Sequence, residues 1–165
     1  MRRVKLDRID LRILQDLQQD GRITNVELAR RAGISAPPCL RRVRALEESG
    51  YIRGFHADLA PEAMGYEVMF FALVGLDSQS DSVLKAFESQ MHEWPEVREC
   101  HMCRGPHDFL LKLVARNTAH ENELTTQLTS APHVATVQTI QVIRTSKDEP
   151  GVPVEAEAAM AEQEE

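Results

Sequence analysis

Arg41, Arg42 and Arg44 fall within four consecutive positions, just behind Ser35-Ala36-Pro37-Pro38. A guanidinium stays charged at neutral pH. Its planar fork of donors matches phosphate oxygens and the O6/N7 edge of guanine. That chemistry is recognition, with no bond made or broken. A second constellation is Cys100-His101-Met102-Cys103, with His107 close behind. Thiols and imidazoles so spaced suit zinc or a redox pair. Strand residues three apart point to opposite faces, so the two thiols do not converge on one ion. We expect no metal and no cofactor. The chain also shows no recognisably spaced carboxylate pair, no phosphate-binding glycine loop and no nucleophile beside a base. We assign no catalytic residue and do not expect an enzyme.

The arginines need an element to present them. A first helix is expected over Asp7 to Gln19, with Leu6, Ile9, Ile13, Leu14 and Leu17 as its buried stripe. Asp7 is its expected cap and Gly21 its end. A second begins near Thr24, with Glu27 in the capping-box position. Gly33 makes a turn, Ser35 caps a third helix, and Pro37 or Pro38 fits its first turn. At about 100° per residue, Cys39, Val43 and Leu46 share one face of that helix. Pro37, Arg41 and Arg44 share the other, with Leu40 and Arg42 on the flanks. A core face opposite an arginine face is the pattern of a helix-turn-helix whose second helix enters the DNA major groove. The candidate DNA-binding residues are Ser35, Ala36, Pro37, Arg41, Arg42 and Arg44. Tyr51 to Leu59 has strand-like composition and is expected to form a wing.

Charge divides the chain. Residues 1–60 hold 12 Lys/Arg against 8 Asp/Glu, and the remainder holds 7 against 18. A head of +4 on a body of −11 suits a DNA-binding domain joined to one with another task. So small a positive charge implies several heads acting together. No apolar run approaches a membrane span, and no apolar segment follows the basic N-terminus as a signal peptide requires. Three cysteines give no disulfide framework. A cytoplasmic protein with no membrane partner is expected.

The body predicts strand, helix, strand, strand, helix, strand. The elements are Glu67 to Leu76, Asp81 to Glu93, Val97 to Arg104, Asp108 to Ala115, Thr118 to Ser130 and Val134 to Arg144. This β-α-β-β-α-β order is the ferredoxin-like split unit. On the last strand, Val134, Thr136, Gln138, Ile140 and Val142 are expected to share a face. Two helices cover one side of such a sheet, and a second copy is the expected cover for the other. The fold class is therefore α+β. The domains are a winged helix-turn-helix over 1–58, a linker over 59–66, a ferredoxin-like domain over 67–145 and an acidic tail over 146–165. The tail holds seven acidic residues and one lysine. It is expected to be mostly disordered, or weakly helical over 154–164.

Residues 5–145 resemble the Lrp/AsnC (feast/famine) transcriptional regulators of prokaryotes. The resemblance rests on Leu6-Asp7-Arg8-Ile9-Asp10 and on Arg41-Arg42-Val43-Arg44-Ala45-Leu46-Glu47-Glu48-Ser49-Gly50-Tyr51-Ile52. It rests also on Glu99-Cys100-His101 and on Gly105-Pro106-His107-Asp108-Phe109-Leu110-Leu111-Lys112. It implies a sequence-specific regulator that binds double-stranded, pseudo-palindromic DNA. It implies homodimers that assemble to octamers or other higher oligomers, with a small effector, usually an amino acid, between dimers. By position the effector residues are Met102, Arg104, Gly105, His107 and Asp108, with Thr139 and Gln141 expected nearby. Arg104, Pro106 and His107 depart from the family's commoner residues, which implies either a different effector preference or a lost amino-acid response. An effector-independent architectural DNA-binding protein is the alternative.

Overall fold

The computed structural model describes residues 5–154. They form two compact units. One holds the residues up to Asp58 together with those from Lys147 onward, and the other holds Leu59–Ser146.

The first unit is three helices. In α1 (Arg8–Gln19), Asp7 and Asp10 cap each other reciprocally: the Asp10 N–H donates to Asp7 Oδ1 at 2.9 Å and the Asp7 N–H to Asp10 Oδ2 at 3.1 Å. The helix stops at Asp20, one residue before the expected Gly21, because the Asp20 carboxylate accepts the Arg22 N–H at 2.9 Å and turns the chain. In α2 (Asn25–Ala32), the Thr24 hydroxyl accepts the Glu27 N–H. The return bond of a full capping box is not among the bonds made. Arg30 and Arg31 hold the Glu27 carboxylate instead, at 2.7 to 2.9 Å. Gly33, at φ 70°, supplies the left-handed turn, and α3 (Ala36–Glu48) follows. Ser35 is its cap by backbone position, yet its hydroxyl makes no capping bond.

Ile13, Leu28, Ala29, Cys39 and Leu46 are buried together, with Leu6, Ile9, Leu14, Leu17, Ile34 and Val43 packed around them. Asp16 is buried among these apolar residues. Arg12 at 3.0 Å and Arg31 at 3.8 Å supply the countercharge that burial demands. The expected wing strand is not formed: residues 51–59 carry no strand among the described residues. The N–H groups of Tyr51 and Ile52 fold back onto the Leu46 carbonyl. Residues 147–154 group with the first unit. Gln18 exchanges two hydrogen bonds with Val152. The weak helix expected over 154–164 falls almost wholly outside the described residues.

The second unit runs β1 (Val68–Leu76), α4 (Asp81–His92), β2 (Val97–Met102), β3 (Phe109–Ala115), α5 (Thr118–Thr129) and β4 (Val134–Gln141). The sheet order is β2-β3-β1-β4, antiparallel throughout, which is the ferredoxin-like arrangement expected. Along β1 burial alternates strictly. Val68, Phe70, Ala72, Val74 and Leu76 face the helices, where Phe87, Met91, Leu124 and Leu128 close the core. The rings of Phe87 and Phe109 lie 4.7 Å apart at its centre. Between the register pairs Gly75–Thr136 and Leu76–Val134 the ladder shifts by one residue. This bulge breaks the single face expected for β4. Val134 and Val137 both pack on the core, while Thr136, Gln138 and Ile140 pair with Gly75, Leu73 and Phe71 on the opposite face.

Candidate functional site

The start of α3 is braced before any arginine is reached. The Asn25 side chain donates from the first turn of α2 to the Ala36 carbonyl at 2.9 Å, fixing where α3 begins. Pro37 in the first helical turn is exposed and has no N–H to lose there. Cys39 and Leu46 are buried, Val43 is half-buried, and Arg41 and Arg44 are exposed. Neither of these two arginines has an ion pair among the described residues. Arg42 departs from the expected set: its Nη1 lies 2.7 Å from Asp7 Oδ2 and 2.7 Å from Asp10 Oδ1. Its charge is engaged in holding α3 to the first turn of α1. Burial pushes the Asp7 carboxyl up, but the Asp10 N–H and then Arg42 outweigh this and hold it below its ordinary value. Hydrogen bonds from Arg30 and then Arg31 hold Glu27 down to about 2.

At the β2–β3 hairpin, Met102 and Arg104 are exposed and a Cβ on Gly105 would meet open space. The Cys103 N–H donates to the Asp108 carbonyl at 2.7 Å, closing the turn. Asp108 Oδ2 accepts the Leu76 N–H at 2.7 Å, and the Gln79 amide stands 3.5 Å away. His107 is half-buried, and its buried Nδ1 has no hydrogen-bond partner among the described residues.

Thr139 and Gln141 do not join this group. Met102 lies on β2 and the other two on β4, and these strands are opposite edges of the sheet. Phe109 pairs with Val74, which pairs with Val137. Thr139 and Gln141 are therefore about 10 Å across the sheet from Phe109, and about 7 and 14 Å further along. Resemblance by position placed residues from both edges in one site, and within one chain the register separates them. Sequence reasoning missed Leu76 and Gln79, which meet Asp108 only through the fold. It missed also His133 (φ 66°), whose Nδ1 lies 2.9 Å from Asp77 Oδ1 at the same end of β1. A histidine forced into the left-handed region leaves no pattern in the chain.

The Cys100 thiol sits in a shallow groove with Glu88 and Met91. Although the residue has open surface, local desolvation and then Glu88 and Cys103 push its pKa up to about 11. It is a thiol at neutral pH, the reverse of a reactive cysteine.

Comparison with known proteins matches residues 6–53 to the winged helix-turn-helix DNA-binding family and residues 69–152 to the Lrp/AsnC ligand binding domain. A leucine-responsive regulatory protein of Rhizobium meliloti is 55% identical over 147 residues, covering 88% of this chain and 94% of its own length. The chain belongs to the Lrp/AsnC family. That of Escherichia coli K12 is 39% identical over 143 residues, covering 86% of this chain and 87% of its own. Among solved Lrp/AsnC-like structures, a Neisseria meningitidis transcriptional regulator in complex with L-Met superposes with a TM-score of 0.85. It is 33% identical and covers 90% of this chain and 97% of its own. An AsnC family regulator of Agrobacterium tumefaciens gives 0.84 at 30% identity, with the same coverages. As an Lrp/AsnC protein, the chain is a DNA-binding transcriptional regulator with an effector-binding domain, and not an enzyme. Among the described residues, no helix is long and apolar enough to cross a membrane.

Proposed function

We propose that α3 reads a pseudo-palindromic operator through Arg41 and Arg44, with Ser35, Ala36 and Pro37 setting its approach to the groove. The observation that carries this reading is the division of labour on α3. Two arginines stand exposed, without an ion pair among the described residues, while Arg42 is engaged with Asp7 and Asp10. Arg42 therefore acts by holding the reading helix in place.

An amino acid is the effector, bound at the hairpin of Met102, Arg104, Gly105, His107 and Asp108. The unpaired His107 Nδ1 is a group that a polar ligand can satisfy. Thr139 and Gln141 join such a site only from a second copy. The L-Met complex of the Neisseria protein and the name of the Rhizobium protein support methionine and leucine as first candidates. Homodimers form through the open face of the sheet. There Met69, Phe71, Leu73, Leu110 and Val114 are half-buried in the single chain and Ile140 is half exposed. Dimers assemble further, to octamers or other rings. A regulator of transcription works beside the chromosome, which in a prokaryote is the cytoplasm. Effector binding shifts assembly or head spacing, which requires unequal affinity for two states.

A thermal-shift series over the twenty amino acids, with light scattering on each hit, tests the effector half. A ligand that binds only the folded protein raises its melting temperature. A hit that also changes mass is expected, and no shift at millimolar amino acid would overturn the assignment.

A further inference from the structure

The chain passes between its two units twice, after Asp58 and after Ser146. Both passages are seated at one place on the first unit, the C-terminal end of α1. The first is marked by Phe55, whose ring lies so close to Gly21 that a Cβ there would sit 3.3 Å from Phe55 Cδ1. The second is held by Gln18. Its Nε2 donates to the Val152 carbonyl at 2.7 Å, and its Oε1 accepts the Val152 N–H at 3.2 Å. One carboxamide thus satisfies both peptide groups of a single residue, as a neighbouring strand would. Gly151 makes the approach possible. Its φ is 75°, and a Cβ at that position would fall on the Gln18 carboxamide. Val152 is 66% exposed and both bonds go to its peptide groups, so the contact recognises backbone.

We propose that Gln18, Gly151 and Val152 form a latch that gives the DNA-binding unit a second fixed connection to the body. This connection sets the helical phase at which paired heads accept their half-sites. With the latch open, a head hangs on one connector and samples more orientations, so avidity depends less on the spacing of the sites. The latch stands at the far end of α1 from Arg42. Asp10 and Gln18 are eight residues apart, about 12 Å along the helix. Gln18 is therefore a positioning residue and makes no contact with the reading arginines. The inference rests on the reading above, in which heads act in pairs.

The test uses full-length protein: wild type, Gln18→Ala, Gly151→Ala and Val152→Ala. Each is titrated by fluorescence anisotropy against duplexes carrying two selected half-sites in phase, or with five base pairs inserted between them. Wild type and Val152→Ala are expected to lose about tenfold or more in affinity on insertion, and the two latch variants less than about threefold. Amide exchange gives the independent readout, since the Val152 N–H is protected in wild type and released in the latch variants. An unchanged insertion penalty in variants with a released Val152 amide would overturn the proposal, as would an unprotected Val152 amide in wild type. If wild type binds one half-site as well as two, the paired-head reading fails, and the phase-setting role fails with it. Protection of the Val152 amide then shows only a contact.

Discussion

Arg42 of α3 holds Asp10 of α1 at 2.7 Å, and the same nitrogen reaches Asp7 at the same distance. One guanidinium nitrogen therefore serves both members of the capping pair that starts α1. The side chain of Arg42 is 33% exposed, Asp10 15% and Asp7 49%. Solvent weakens the Asp7 half of the pair, and the better-covered Asp10 half contributes more.

Arg42→Met should lower the stability of the DNA-binding unit by about 1 kcal/mol, allowing for that screening. Urea denaturation measures it. Full stability with a loss of DNA affinity matching that of Arg41→Ala would show that Arg42 contacts DNA instead.

Arg41→Ala and Arg44→Ala should leave the melting temperature unchanged, because both side chains are exposed. Each should weaken operator binding and reduce the slope of log Kd against log salt by about 1 per head, the signature of a lost phosphate contact. If one of them is a base contact, its variant keeps the salt slope and loses sequence preference. Anisotropy titrations at several salt concentrations separate the outcomes.

Glu27 makes a pH prediction with a definite sign. Its folded pKa is depressed from 4.5 to about 2 by Arg30 and then Arg31. A depressed carboxyl contributes stability above the unfolded pKa and loses it as pH falls. Its contribution is complete at pH 6 and fades between about 4.5 and 2. The Glu27 side chain keeps 34% of its surface open to solvent, so the effect is small and shrinks with added salt. Glu27→Gln should flatten the acid limb of a stability–pH curve over that window alone. An identical acid limb in the variant would show that the pairs with Arg30 and Arg31 do not form in solution.

Asp108 separates structure from ligand binding. Asp108→Ala leaves the Leu76 N–H without its acceptor and should cost about 1–3 kcal/mol. Asp108→Asn keeps an acceptor oxygen but lacks the charge that an effector ammonium seeks. It should stay near wild-type stability with an effector Kd raised about tenfold. Calorimetric titration decides, and an unchanged Kd in Asp108→Asn would confine Asp108 to the turn.

Local signals made the helices legible. Asp7, Thr24 and Gly33 act where their chemistry places them, because caps and left-handed turns depend on nearby residues. The apolar run of β1 was equally readable as a strand, but its alternating burial was not, because both of its faces are apolar. What was not legible was non-local. The ion pair of Arg42 spans 32 residues to Asp10, and a helical wheel shows only that it lies on a flank. The wing strand failed because composition does not supply a ladder partner. The β4 faces failed because one bulge reverses the alternation. Thr139 and Gln141 were placed by resemblance, and no pattern within the chain says that β4 is the edge opposite β2. The Gln18–Val152 latch spans 134 residues, and nothing in an acidic, proline-containing tail announces it.

The central claim is that an exposed arginine face on α3 binds operator DNA under control of an amino acid. It is tested most directly by anisotropy of the full chain on a duplex selected from a random pool, with and without leucine or methionine at millimolar concentration. The account predicts a clear preference for the selected duplex over scrambled DNA, with affinity or stoichiometry changed by at least one of the two amino acids. Equal binding to scrambled DNA, unmoved by either, would contradict it.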